Sequence, residues 1–279
     1  MAKHPRKRRL PGFLLFLALA VLAALFLRWD NTALQTTYFD PVFADLPEGF
    51  DGCRIAVLSD LHGAEFGENN QELFAAVAQE SPDYIVYLGD LEDHYRGPAA
   101  GYAETVAVGL TAIAPTYYVT GNHEWGIGDV PALKETLAAH GVSVLSNQFV
   151  PLERNGDIIV LAGIDDPNGY ADQKTPEEVA AEVYAAYGDP FWVLLAHRND
   201  RFESQYSLLG ADLVLSGGTV TAASSACPSP TACCPPTAPF SPPIRRGYTR
   251  KTAPACLSPG VWAIPAPPSA CSTARRWRC

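Results

Sequence analysis

Residues 54–62 read RIAVLSDLH. The run Arg54–Leu58 is short and apolar, and it stops at Ser59-Asp60-Leu61-His62. Such a run, bounded by polar residues, reads as a buried strand. The same pattern recurs downstream. Tyr84–Leu88 ends in Gly89-Asp90, Thr116–Val119 in Thr120-Gly121-Asn122-His123-Glu124, Phe191–Ala196 in His197, and Asp212–Leu215 in Ser216-Gly217. Ligand sites in open α/β sheets lie outside the carboxyl ends of the strands. The polar clusters are therefore where chemistry is to be sought.

Helical patterns alternate with these strands. Asn69–Gln79 places Leu73, Phe74 and Val77 on one face. Ala99–Ile113 is Ala-rich. Val130–Ala139 begins with Pro131 and is followed by Gly141, a helix start and a stop in the right places. Pro176–Tyr187 is a further helix, and Val142–Leu145 a short strand. Phe149–Leu152 and Ile158–Ile164 flank Asn155-Gly156, the strongest short-range hairpin signal. Strands alternating with helices give the α/β class, here with one antiparallel hairpin.

The chain has 279 residues and a formal charge of −10, and it divides into unlike parts. Residues 1–9 carry Lys3, Arg6, Lys7, Arg8 and Arg9 and no acid. All 30 acidic residues lie in 10–218. Residues 219–279 have no acid, half the prolines and six of the seven cysteines. The run 10–27 is uncharged and near the length of a spanning helix. With the basic residues before it, it is expected to be a transmembrane anchor, leaving 1–9 as a cytoplasmic tail and the rest outside. A cleaved signal peptide is the rival reading, and both export the domain. Arg8-Arg9 reads as part of the topology signal. Residues 28–50 are a connector. The acidic central domain gives no support to nucleic-acid binding, which favours a basic face.

Alone, Asp60 or Asp90 would read as a turn former or a helix cap, His62 as a core histidine, and Gly121-Asn122 as a turn. The ordered set says more. Asp-x-His, Gly-Asp, Gly-Asn-His-Glu and a lone His, each after a strand, resemble the calcineurin-like metallophosphoesterase family over about residues 50–217. The likeness is greatest to its membrane-anchored or exported bacterial members. The resemblance implies a four-layer α/β/β/α sandwich of mixed sheets. It implies two divalent metal ions, with Asp60 and His62 on the first, Asp90 bridging, and Asn122 and His197 on the second. His123 would be the acid that protonates the leaving oxygen, with Asp93 and Glu124 orienting its neighbours. Carboxylate and imidazole donors suit Mn, Fe or Zn, and two such ions neutralise a phosphoester and activate water. His94 and His140 match no family position and are expected at the surface. Cys53 is expected to be buried and inert, Tyr117-Tyr118 to pack in the core, and Asp165-Asp166 to be loop structure.

The family closes its site with Gly-His-x-His after a last strand. Here Gly218 and Val220 stand at the two histidine positions, and neither can ligate a metal. Reading the last base of each codon with the first two of the next, the junctions from Gly218 to Ser224 permit His-x-His-Gly-Gly-Gln, completing the missing motif after Gly217. Residues 219–279 are therefore read as an out-of-frame, disordered tail, with 51–218 an incomplete domain truncated at its C-terminal end. A genuine Pro-rich tail or a cysteine module are the other readings. The expected activity is metal-dependent hydrolysis of a phosphomonoester or phosphodiester, a lipid-linked one among the candidates, impaired by the lost ligands. The alternative is a membrane-tethered pseudoenzyme that binds phosphate groups or partners.

Overall fold

The computed structural model describes residues 10–32, 34, 36–95, 100–218, 255–257 and 275–276. It divides into two units, 1–35 and 36–279. The first contains α1 (Leu10–Thr32). Its side chains are described over 12–27, where all are uncharged and exposed. Among the described residues no helix is long and apolar enough to cross a membrane, so the spanning anchor expected over 10–27 is not shown. The basic segment 1–9 lies outside the described residues.

The second unit runs β1 (Val42–Phe43), β2 (Ile55–Leu58), α2 (Gln71–Gln79), β3 (Tyr84–Tyr87), α3 (Tyr102–Thr111), β4 (Thr116–Tyr118), α4 (Asn122–Ile127), α5 (Val130–Ala139) and β5 (Ser143–Val144). It continues with β6 (Gln148–Arg154), β7 (Asp157–Gly163), α6 (Pro176–Tyr187), β8 (Trp192–Ala196), β9 (Leu213–Ser216), β10 (Ala255–Leu257) and β11 (Arg275–Arg276). One sheet has the order β2-β3-β4-β5, with every pair parallel. The other has the order β10-β9-β8-β7-β6, parallel except for the β6–β7 hairpin. At that hairpin Asn155 and Gly156 both take positive φ, 53° and 87°, as the turn that matches strand twist demands.

Alternation along the strands builds the layers. Val86 and Leu88 face inward and meet Ile159, Leu161, Val193, Leu195, Leu213 and Leu215 of the other sheet. Ile85 and Tyr87 face outward and are covered by Leu73 and Val77 of α2 and by Val106 and Leu110 of α3. Val160, Ala162, Trp192 and Leu194 face outward on the second sheet, against Val179 and Val183 of α6. The result is helix, sheet, sheet, helix. α6 starts in a capping box, in which the Thr175 hydroxyl accepts from the Glu178 amide and the Glu178 carboxylate accepts from the Thr175 amide.

Upstream of residue 51, Leu46 and Phe50 are fully buried in the core between the sheets. The Gly49 amide donates to Asp157 at 2.7 Å, so the folded domain begins inside the segment read as a connector. At the other end, β10 lies in parallel register beside β9, Ala255 opposite Leu213. β11 pairs with β1. The C-terminal truncation is thus not shown, and the rest of 219–279 lies outside the described residues.

Candidate metal centre

The carboxyl ends of β2, β3, β4 and β8 deliver the polar clusters to one place. Three of the delivered residues have left-handed backbones: Asp60 at φ 57°, His62 at 50° and Asp90 at 57°. Non-glycine residues adopt this conformation at a cost, and such outliers gather at functional sites. The chain stops each strand abruptly and turns the next side chain back across the sheet edge. Gly89 (φ 83°) and Gly121 permit the closest approach. A Cβ on Gly121 would run into the Asp90 carboxylate, and one on Gly89 into the Gly121 backbone.

Asp90 is the hub. Its Oδ1 accepts the His123 amide at 2.9 Å. Its Oδ2 is buried and accepts no hydrogen bond, yet it lies 3.3 Å from His197 Nε2 and 3.8 Å from His62 Nε2. His62 Nε2 is also 3.7 Å from Asp60 Oδ1. His197 Nε2 lies 3.1 Å from Asn122 Oδ1, and its Nδ1 is 2.7 Å from the Leu88 carbonyl. A hydrogen on Nδ1 donated to that carbonyl leaves Nε2 as a lone-pair donor aimed at the cluster, the arrangement that suits a metal-ligating histidine. Asp60, His62 and Asp90 form one group able to hold a cation, and His62, Asp93 and His123 form another. The five sequence-derived ligand candidates and His123 therefore meet. A buried carboxylate oxygen without a hydrogen bond, beside two imidazoles, is a donor that would suit a divalent cation.

The charges are arranged accordingly. Burial disfavours the charged form of His197, but the Asp90 contact and the charges of Asp90 and Asp60 overcome it and push its pKa up to about 9. The Asp60 contact raises the pKa of His62 despite partial burial. Burial works to raise the pKa of Asp60, but His62, Ser59, His197 and the Gly218 amide outweigh it and lower the pKa. Both upward imidazole shifts have neighbouring carboxylates as their cause. Burial lowers the pKa of His123.

Glu124 sits behind this cluster. Burial, reinforced by the Asp90 charge, pushes its pKa up to about 7. Its carboxylate accepts the amides of Asp90 (3.0 Å), Leu91 (2.6 Å) and Gly121 (2.7 Å). One side chain thereby ties the loop after β3 to the loop after β4. Asp93 lies 3.3 Å from His123 Nδ1.

Other expectations fare differently. His94 is half-buried, not a surface residue, and its Nδ1 is 3.2 Å from His123 Nδ1. Only the strand register, which brings the loop after β3 against α4, decides this; nothing local in the sequence signals it. His140 caps α5 from Thr136 and faces Glu104. Cys53 and Tyr118 are buried as expected. Asp165 and Asp166 are buried parts of a polar network: Asp165 accepts from Thr120 and Lys134, and Asp166 grips Arg198. At the end of β9 the Gly218 amide donates to Asp60 Oδ2 at 2.8 Å, and Val220 lies outside the described residues.

The family model for the calcineurin-like phosphoesterase matches residues 53–222. The chain is 35% identical over 126 residues to a Danio rerio "Transmembrane protein with metallophosphoesterase domain", covering 43% of this chain and 29% of that protein. The chain thus spans under a third of that relative's length. It is 26% identical over 211 residues to "Uncharacterized protein YpbG" of Bacillus subtilis, covering 76% of each. Among solved structures, the phosphopantetheinyl hydrolase of Mycobacterium tuberculosis aligns at 15% identity with a TM-score of 0.40, covering 62% of this chain and 84% of that one. That likeness is too slight to add to the assignment. A family match over most of the folded domain settles the kinship: the chain belongs to the calcineurin-like phosphoesterases.

Proposed function

We propose that this chain is a metal-dependent phosphoesterase, hydrolysing a phosphomonoester or phosphodiester at the Asp90 cluster. The observation that carries the reading is the buried Asp90 Oδ2, unbonded and flanked by His62 and His197. In this reading Asp60, His62 and Asp90 hold one divalent cation and Asp90, Asn122 and His197 the other, with Mn, Fe or Zn suited to the donor set. Such cations supply charge neutralisation and activation of water. The chain's own residues do the rest. Asp90 Oδ1 fixes the His123 backbone, and Asp93 steadies its ring. Burial lowers the His123 pKa, so its imidazolium releases a proton to a leaving alkoxide more readily. Glu124 holds the two ligand-bearing loops at a fixed spacing.

Two finer parts belong to the same proposal. The first is location: attachment to a membrane through the apolar run 10–27, with the domain on the extracytoplasmic side and a lipid-linked phosphoester within reach. Its support is the uncharged, exposed face of α1, the basic residues before it, and the printed name of the Danio rerio relative. The second is impairment. The Gly218 amide, not an imidazole, meets Asp60, which also favours a phosphate-binding pseudoenzyme as the second reading. The test is bis-p-nitrophenyl phosphate turnover with added Mn²⁺, for the chain as written and for the gene with the frame restored after Gly217. Turnover only in the restored protein supports both the chemistry and the impairment. No turnover in either leaves the phosphoesterase reading without support.

A further inference from the structure

The centre opens to solvent at Asp60 and His62. Their side chains are 31% and 35% exposed, whereas those of Asp90 and His197 are buried. The His123 ring stands at that opening, its centroid 4.3 Å from that of His62. Two further rings continue from it. His94 lies 4.6 Å from His123 and Tyr95 5.8 Å from it, both in edge contact. Tyr95 and His94 lie ring against ring, 3.7 Å between centroids and tilted by 39°.

These rings are held in place. The His94 ring rests against Gly126 of α4, where a Cβ would come within 3.0 Å of it. The Tyr95 amide donates to Asp93 Oδ1 at 3.0 Å, and the same oxygen lies 3.3 Å from His123 Nδ1. One carboxylate oxygen thus fixes the backbone of Tyr95 and the ring of His123 together. Yet Tyr95 is 80% exposed and packs into no hydrophobic cluster among the described residues. A single exposed aromatic residue is ordinary on a surface. This one is set apart by its pinned backbone and by its place beside the proposed acid, at the open side of the centre.

We propose that Tyr95 is a specificity-determining residue, whose open face stacks on a planar aryl or heteroaryl ring carried by the leaving group of the phosphoester. In the proposed reaction His123 protonates the leaving oxygen, so the group on that oxygen departs past His123. Buried Asp90 and His197 close the other side, and Tyr95 stands on the side that is open. An alkyl group would gain only buried area from the tyrosine. A flat ring gains the face contact of an aromatic pair as well. The platform selects only the group that leaves and makes no demand on the other arm of a diester.

The inference rests on the phosphoesterase reading, and binding measurements separate the two without requiring turnover. The full chain, with Mn²⁺ added, is titrated calorimetrically with inorganic phosphate, benzylphosphonate and cyclohexylmethylphosphonate. The two phosphonates carry the same charge and nearly the same bulk, and only the first has a flat ring. Wild type is expected to bind benzylphosphonate about two- to twelvefold tighter than the cyclohexyl compound, the worth of an aromatic pair beyond its area. Tyr95→Leu keeps an apolar side chain and should bring the two affinities level, with phosphate binding as before. Tyr95→Phe keeps the ring and should keep the preference. Equal affinities in the wild type, a preference that survives Tyr95→Leu, or its loss in Tyr95→Phe overturns the inference and leaves the phosphoesterase reading standing. A wild-type chain that binds neither Mn²⁺ nor phosphate sinks that reading, and this inference with it.

Discussion

Asp90 and His197 face each other across the junction of the two sheets, with Oδ2 3.3 Å from Nε2, although 107 residues of sequence separate them. The contact exists because β3 of one sheet and β8 of the other stop at the same level. Asp90→Asn would leave that imidazole buried without its counter-charge, and would take from the centre the carboxylate that the proposed function assigns to both cations. Mn²⁺ binding should fall by about a hundredfold or more, the scale of a lost charged partner in a buried site. The His197 pKa should drop from about 9 toward or below its ordinary value. Calorimetry reads the first and imidazole NMR titration the second. An unchanged His197 pKa would show that Asp90 is not its partner.

The raised His197 pKa fixes a pH dependence. In the metal-free protein the folded value is about 9 against an ordinary 6.5. The protonated pair therefore stabilises the fold fully below about pH 6.5 and loses that contribution as pH rises through 9. Metal must displace the same proton, so Mn²⁺ affinity should climb over the same window, with protons released on binding. Melting curves of the metal-free chain should fall from pH 7 to 9 while Mn²⁺ isotherms tighten. A flat response in both would remove the buried imidazolium from the account.

Glu124→Gln tests the tie between the two loops. Glu124 accepts amides from Asp90, Leu91 and Gly121. A carboxamide turns one acceptor oxygen into an N–H donor that faces an amide N–H. The expected loss is ~1–3 kcal/mol of stability from the unsatisfied buried groups, seen as a lower denaturant midpoint with an unchanged slope. The folded pKa of about 7 against an ordinary 4.5 means that the wild type gains stability as pH falls through 7, a gain the variant lacks, so the difference between the two should widen over that range.

The strand ends were legible in the sequence because a buried parallel strand must be apolar and must stop at something polar. The four strands that end in the converging polar clusters and the Asn155-Gly156 hairpin follow from local pattern alone. His94 against His123, and Arg198 on Asp166, were not legible. Each pair lies 29 and 32 residues apart, and only strand order and register decide whether such loops meet. The burial of Leu46 and Phe50 was hidden for a related reason. A short apolar segment without period gives no sign of which face it will cover until both sheets are in place.

Gly121→Ala should be far more damaging than a usual surface glycine change. Its Cβ would collide with the Asp90 carboxylate and backbone. Backbone there is pinned by Glu124, so the collision is relieved only by shifting the loop that carries Asp90 and displacing its carboxylate from the cluster. Stability should fall by about 1–3 kcal/mol, the usual cost of forcing atoms into a packed site, and Mn²⁺ binding should be lost with it. Retained Mn²⁺ affinity in a folded variant would mean that Asp90 is not fixed at the centre.

Gly218→His addresses the broken end of the motif directly. The Gly218 amide already donates to Asp60 Oδ2, so the backbone at 218 stands beside a carboxylate of the candidate centre. A Cβ built there would lie 2.7 Å from Asp60 Oδ1. That is too close for the present rotamer, but the obstacle is the end of a side chain, and a small rotation of Asp60 admits it. An imidazole added beside Asp60 supplies a ligand where the chain now offers only an amide. Mn²⁺ should bind on the order of tenfold tighter, the gain expected from one further ligand of this kind. The gain should vanish when Asp60→Asn is added. Were the added histidine to leave the isotherm unmoved in a folded protein, position 218 would not border the metal, and the account of a site weakened by its loss would fail at its most specific point.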